Sequence, residues 1–112
     1  MNINGIDIEF SFSDIDNLEK FDNAKKSLLT ADVKADTKIG TLRKQNEAMC
    51  NFINDCLGDI LFSKLIENRK DFVQVQSVFL ALIEEFEKAD KETAKQIQEY
   101  TEKYKKYMPT AR

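Results

Sequence analysis

The chain has no histidine, one proline, three glycines and two cysteines in 112 residues. Without histidine there is no Ser–His or Cys–His pair, and no imidazole to serve as a general base. Gly5, Gly40 and Gly58 are too scattered to build a phosphate-cradling loop. Cys50 and Cys56 fall on different faces of one expected helix, badly oriented for a relaxed disulfide. Two thiols without an imidazole also fall short of the roughly four ligands of a zinc site. They read as reduced thiols, buried or half-buried. No apolar run approaches the roughly 20 residues needed to span a bilayer. Nor does a basic segment followed by an apolar core open the chain, as a secretion signal would. A net charge of −3 disfavours a dedicated DNA-binding module. Glu84, Glu85, Glu87 and Asp90 crowd one segment, but near-adjacent acids on a helix mostly point into water and hold magnesium poorly. The expectation is a cytoplasmic protein that is not an enzyme, with no cofactor, no metal, no nucleic acid and no membrane.

What the sequence does hold is helix. A hydrophobic fraction of 42% with 33% charged residues suits one mainly α domain over residues 1–112. From Asp71 to Tyr107 there is neither Gly nor Pro; Asp71 can cap the start, and Pro109 forbids a regular continuation. Phe72, Gln76, Phe79, Ile83, Phe86, Asp90, Thr93, Ile97, Tyr100, Tyr104 and Tyr107 follow a four-three spacing. That spacing makes one stripe on a helix roughly 50 Å long. Val73, Val75, Val78, Leu80 and Leu82 add flanking contacts in its first half. Such a helix exceeds the diameter of so small a domain, so part of its stripe is expected to meet another chain. The polar positions Asp90 and Thr93 mark where a kink or break would fall, with Asp90 able to cap a separate terminal helix.

Residues 1–12 are the strand-like region. Asn4-Gly5 is a strong hairpin signal, since a type I′ turn needs positive φ at both central positions. It sets Ile3 opposite Ile6 and Met1 opposite Ile8, and Ile6, Ile8, Phe10 and Phe12 then line one face. Residues 13–108 are expected to be helical and 109–112 a tail. Ser13 reads as an N-cap for a helix over 13–30, striped by Ile15, Leu18, Phe21, Ala24, Leu28 and Leu29. A polar stretch to Gly40 is a connector or a fraying helix end. A second helix over 41–57 carries Leu42, Met49, Phe52, Ile53, Cys56 and Leu57. Gly58 is placed to end it in a left-handed conformation, with Asp59 able to cap the next segment.

Two places invite partners. The short segment Ile60 to Ile66 is apolar on most sides. As core it would bury its large side chains at about 1.5–3 kcal/mol each; as a binding edge it would present Phe62 and Ile66. Ile97, Tyr100, Tyr104 and Tyr107 form a tyrosine-rich seam for another copy or a protein partner. Lys103, Lys105, Lys106 and Arg112 around it would also suit nucleic acid. Tyrosines on one line, however, stack poorly against successive bases.

Four stretches carry a resemblance. They are Ile3-Asn4-Gly5-Ile6-Asp7-Ile8-Glu9-Phe10, Phe52-Ile53-Asn54-Asp55-Cys56-Leu57-Gly58-Asp59, Phe79-Leu80-Ala81-Leu82-Ile83-Glu84-Glu85-Phe86 and Lys106-Tyr107-Met108-Pro109. Together they resemble a family of small tail-region proteins from phages and prophages of Gram-positive bacteria. The resemblance implies a tail assembly chaperone of the host cytoplasm, self-associating and binding the tape-measure and tail tube proteins. The other role it implies is a structural virion component, a head–tail connector or tail subunit.

Overall fold

Asn4 and Gly5 take φ of 51° and 85°, and the chain reverses on them as the sequence predicts. The protein is seen here as a computed structural model, which describes residues 1–104. Strands β1 (Asn2–Ile3) and β2 (Ile6–Asp7) pair antiparallel, Ile3 opposite Ile6. Ile8 N donates to Met1 O at 2.8 Å, and the Met1 amine returns a bond to Ile8 O at 3.1 Å. Among the described residues no strand faces the chain beyond Ile8, and Phe10 N turns back onto Ile8 O. The alternation outlives the strand: Ile8 and Phe12 are buried, Ile6 and Phe10 half-buried, and Asp7, Glu9 and Ser11 exposed. Asn4 Nδ2 donates to Ser77 Oγ at 3.0 Å, tying the turn to the last helix.

Helix α1 spans Ile15–Leu29, and its cap is Asp14, not Ser13. Asp14 Oδ1 accepts from Asp16 N at 2.8 Å, whereas the Ser13 hydroxyl pairs with Ser11. A carboxylate has the further advantage of charge at the positive end of the helix. Phe21 and Ala24 are buried; Ile15 and Leu29, at the two ends, are exposed.

Helix α2 (Lys38–Leu57) begins three residues before the expected start, on a Thr37 cap. The reason is Gly40. Its N–H donates to Thr37 Oγ1 at 3.0 Å, and a Cβ there would stand 2.9 Å from that oxygen. The glycine that reads as a break is what lets the cap close. Gly58 ends α2 with positive φ, but its ψ of 167° is extended rather than left-handed helical. It therefore throws the chain directly into α3 (Asp59–Leu65), without a side-chain cap from Asp59.

Asp71 caps α4 (Phe72–Tyr104), accepting from Gln74 N at 3.2 Å. The helix runs unbroken through Asp90, with neither Gly nor Pro to interrupt it. Its buried line is Val75, Val78 and Leu82, with Phe72, Phe79, Phe86 and Ala89 packed beside them. That line lies one position before the expected stripe: Gln76 is exposed and Ile83 half-buried. The core is completed by Phe21 and Ala24 from α1, Met49, Cys50, Phe52, Ile53 and Cys56 from α2, Phe62 and Leu65 from α3, and Ile3, Ile8, Phe12 and Ile66. Phe12, Phe21, Phe52, Phe79 and Phe86 form one aromatic network, mostly edge to face with centroids 5.2–5.4 Å apart. Each such pair adds about 0.5–1.5 kcal/mol beyond its buried area.

The molecule measures 59 × 30 × 19 Å, with a radius of gyration of 17.2 Å. A compact chain of this length would have about 13 Å. The excess is the far half of α4, which leaves the body.

Candidate functional site

Packing along α4 changes at Phe86. Before it, one residue in every turn is buried; from residue 87 to 103 only Ala89 and Thr93 are even half-buried. Ala89, Thr93 and Gln96 face Met1, Phe10 and Phe12 across a groove of about 510 Å3 at the base of the projection. Farther out, Thr93, Ile97 and Tyr100 make a small, largely apolar surface, with Ile97 60% and Tyr100 54% exposed. Glu92 and Glu99, one heptad apart and both exposed, run along one edge of it. Lys103, one turn beyond Glu99, lies on the same side, so that edge carries both signs of charge.

A second apolar surface lies where α2 and α4 both begin. Ile39, Leu42 and Phe72 line a groove of about 270 Å3 with Asn46, flanked by Arg43 and Lys70. Ile39 is 69% exposed, and Val73 beside Phe72 is 74% exposed. The loop carrying Lys70 is fixed from below. Asn46 Nδ2 and Cys50 Sγ both donate to Arg69 O, at 2.7 and 3.6 Å. Lys70 N donates to Asn68 Oδ1, and the Arg69 guanidinium lies 5.2 Å over the Phe62 ring. These bonds fix the loop beside the apolar floor, which Lys70 and Arg43 both line.

The expected contact residues divide. Ile97 and Tyr100 are exposed on one face of the projecting helix. Phe62 and Ile66 are 6% and 4% exposed, held in the core, so they offer a partner almost no area. The exposed apolar residue of α3 is Ile60 instead. Tyr104 ends the described helix, and Tyr107 lies outside the described residues. Residue spacing does not point to the groove at Ile39, Leu42 and Phe72. By spacing, Ile39 falls in an apparent connector, while Leu42 and Phe72 belong to core stripes. The available signal is Val73, an apolar residue off the buried line.

Cys50 and Cys56 are free and buried. Burial pushes the Cys56 thiol up to about 12, with Lys20 opposing and Asp55 adding; it also raises Cys50, against the pull of Arg69. Such thiols are poor nucleophiles. Glu84, Glu87 and Asp90 are exposed, and Glu85 meets Lys88 at 3.5 Å. Among the described residues no three His, Cys, Asp or Glu gather as a metal site, and no helix is long and apolar enough to cross a membrane.

Residues 4–111 match the family of unknown function DUF6673, and the chain belongs to that family. No curated protein and no solved structure matches it.

Proposed function

We propose that the protein is a phage or prophage tail assembly factor, a self-associating chaperone acting in the host cytoplasm by binding rather than catalysis. The observation that carries the reading is the projecting half of α4, on whose face Ile97 and Tyr100 stand exposed beyond the packed body. An apolar helix face set beside open grooves suits burial of a partner's amphipathic helix. Many such copies along one long partner would make weak contacts act together. The tape-measure and tail tube proteins are chosen as partners on the resemblance of the sequence, an associational argument.

Co-expression with the long tail protein and the tube protein, followed by pull-down and light scattering, tests this. The expected result is capture of the long protein with several copies of this chain, weakened about ten-fold or more by Ile97→Glu. Absence of capture, with stoichiometric copies in purified particles, would overturn it in favour of a connector or tail subunit.

A further inference from the structure

We infer that the groove where α2 and α4 begin docks an acidic amphipathic helix of another protein, on a surface separate from the projecting half of α4. Its apolar floor is Ile39, Leu42 and Phe72, with Val73 exposed beside it. At about 270 Å3 the groove lies below the roughly 300–1,000 Å3 of small-molecule sites, so it takes side chains rather than a whole small ligand. Its shape is set in advance. Asn68 N donates to Gln74 Oε1 at 3.3 Å, and with the bonds from Asn46 and Cys50 this ties the Lys70 loop to both helices. A site ordered before binding loses less freedom on binding. The groove is built from helices, whose backbone groups are paired internally, so an added strand would find no ladder there. An occupant that satisfies its own backbone is a helix.

Charge selects the sign of that helix. Arg43 and Lys70 line the groove, and no acid does. Among the described residues neither makes an ion pair. The nearest acids are otherwise placed: Asp71 caps α4, and Glu47 lines a different groove with Lys44 and Asp32. Asp36 is matched by Lys38 two residues on, and Glu67 by Arg69, so neither tips the balance. The two helix starts add partial positive charge at the same end. Carboxylates beside the apolar side chains of the entering helix would meet Arg43 and Lys70, steering its approach and fixing its register. The projecting stripe of a second copy carries both signs along its edge and lacks that match.

Two synthetic peptides test this on the full chain. Each is an alanine-based helix of about 18 residues, long enough to hold helix in water, with Leu at i, i+3 and i+7. One carries Glu beside the leucines, and its twin carries Lys at the same places. In fluorescence anisotropy the Glu peptide should bind about ten-fold tighter than the Lys twin, since contacts that attract in one repel in the other. Ile39→Glu should abolish binding of the Glu peptide, and Arg43→Glu/Lys70→Glu should turn the preference toward the Lys twin. Ile39, Arg43 and Lys70 are exposed, so both variants are expected to fold, with circular dichroism as the check. Ile97→Glu should bind as wild type does, which separates this surface from the projecting one. The wild-type comparison needs no variant: equal binding of the two peptides, or no binding of the Glu peptide, overturns the proposal. Binding that Ile39→Glu leaves intact, or that Ile97→Glu removes, lies elsewhere and overturns it too, as does an unreversed preference in the double variant. A protein whose own mass in light scattering falls with Ile39→Glu, while peptide binding is unchanged, gives the groove to a second copy and overturns it as well.

Discussion

The Phe21 ring lies flat on Phe86, centroids 3.9 Å apart and planes 12° from parallel, in a network otherwise built of edge-on contacts. This stack fastens α1 to α4 at the point where α4 leaves the body. Phe21 is the buried member. Phe21→Ala should destabilise the fold by about 3–5 kcal/mol, read as a lower urea midpoint. Phe86→Ala should cost less, since that ring keeps some solvent contact. Equal losses would mean the stack acts as one unit, and a double-mutant cycle would show it.

Capping of α1 is decided by a single carboxylate. Asp14→Ala should cost about 1 kcal/mol, while Ser13→Ala should be nearly neutral, in thermal melts. The reverse order would return the cap to Ser13.

Gly58 joins two helices with φ 87° and ψ 167°, and a Cβ there would meet nothing within 4 Å. Backbone strain is then the whole cost of Gly58→Ala, about 1–3 kcal/mol. The melting temperature should drop by roughly 5–20 °C. An unchanged temperature would show that the junction relaxes.

The Cys56 thiol titrates near 9.0 when solvated and at about 12 in the fold, because burial penalises the thiolate. Between those values the unfolded chain releases a proton that the folded chain keeps. The contribution is therefore full below pH 9 and is lost as pH rises toward 12, by up to about 1.4 kcal/mol per pH unit. Urea midpoints of wild type and Cys56→Ala should draw together between about pH 8 and about pH 10.5. A constant gap would mean a solvated thiol.

Backbone amides of residues 90–103 should exchange at least about ten-fold faster than those of residues 75–86 in dilute protein, since only the latter are packed. Raising the concentration should slow the distal set selectively. Uniform protection along α4 would contradict the projection.

Local chemistry is legible in the sequence, and non-local packing is not. Asn4-Gly5 sets the hairpin and its register, since positive φ is written in those two residues. The long helix is equally clear, because nothing between Phe72 and Tyr104 can break it. Its buried line is displaced from the expected one because Phe72, Phe79 and Phe86 belong to either stripe. The choice between them rests on Val75, Leu82 and Ala89 against Gln76, Ile83 and Asp90. Gly40 misleads for a different reason: it is required by a close approach to Thr37, which only folded coordinates reveal. Spacing alone sets Ile97 and Tyr100 on one face of the helix, and both are exposed. The Ile39–Phe72 groove cannot, because it exists only where two helix starts come side by side.

The bond from Asn4 to Ser77, and the burial of Ile3, Ile8 and Phe12 in a core shared with α4, fix an order of events during translation. The hairpin leaves the ribosome early, yet the α4 side chains that share its core lie in residues 75–86 and come last. At about 5–20 residues per second, the stretch from Phe12 to Phe86 takes roughly 4–15 s to make. For those seconds Phe12, Phe21 and Phe52 lack the α4 rings they meet in the native domain. α4 is thus the element whose arrival completes the shared core.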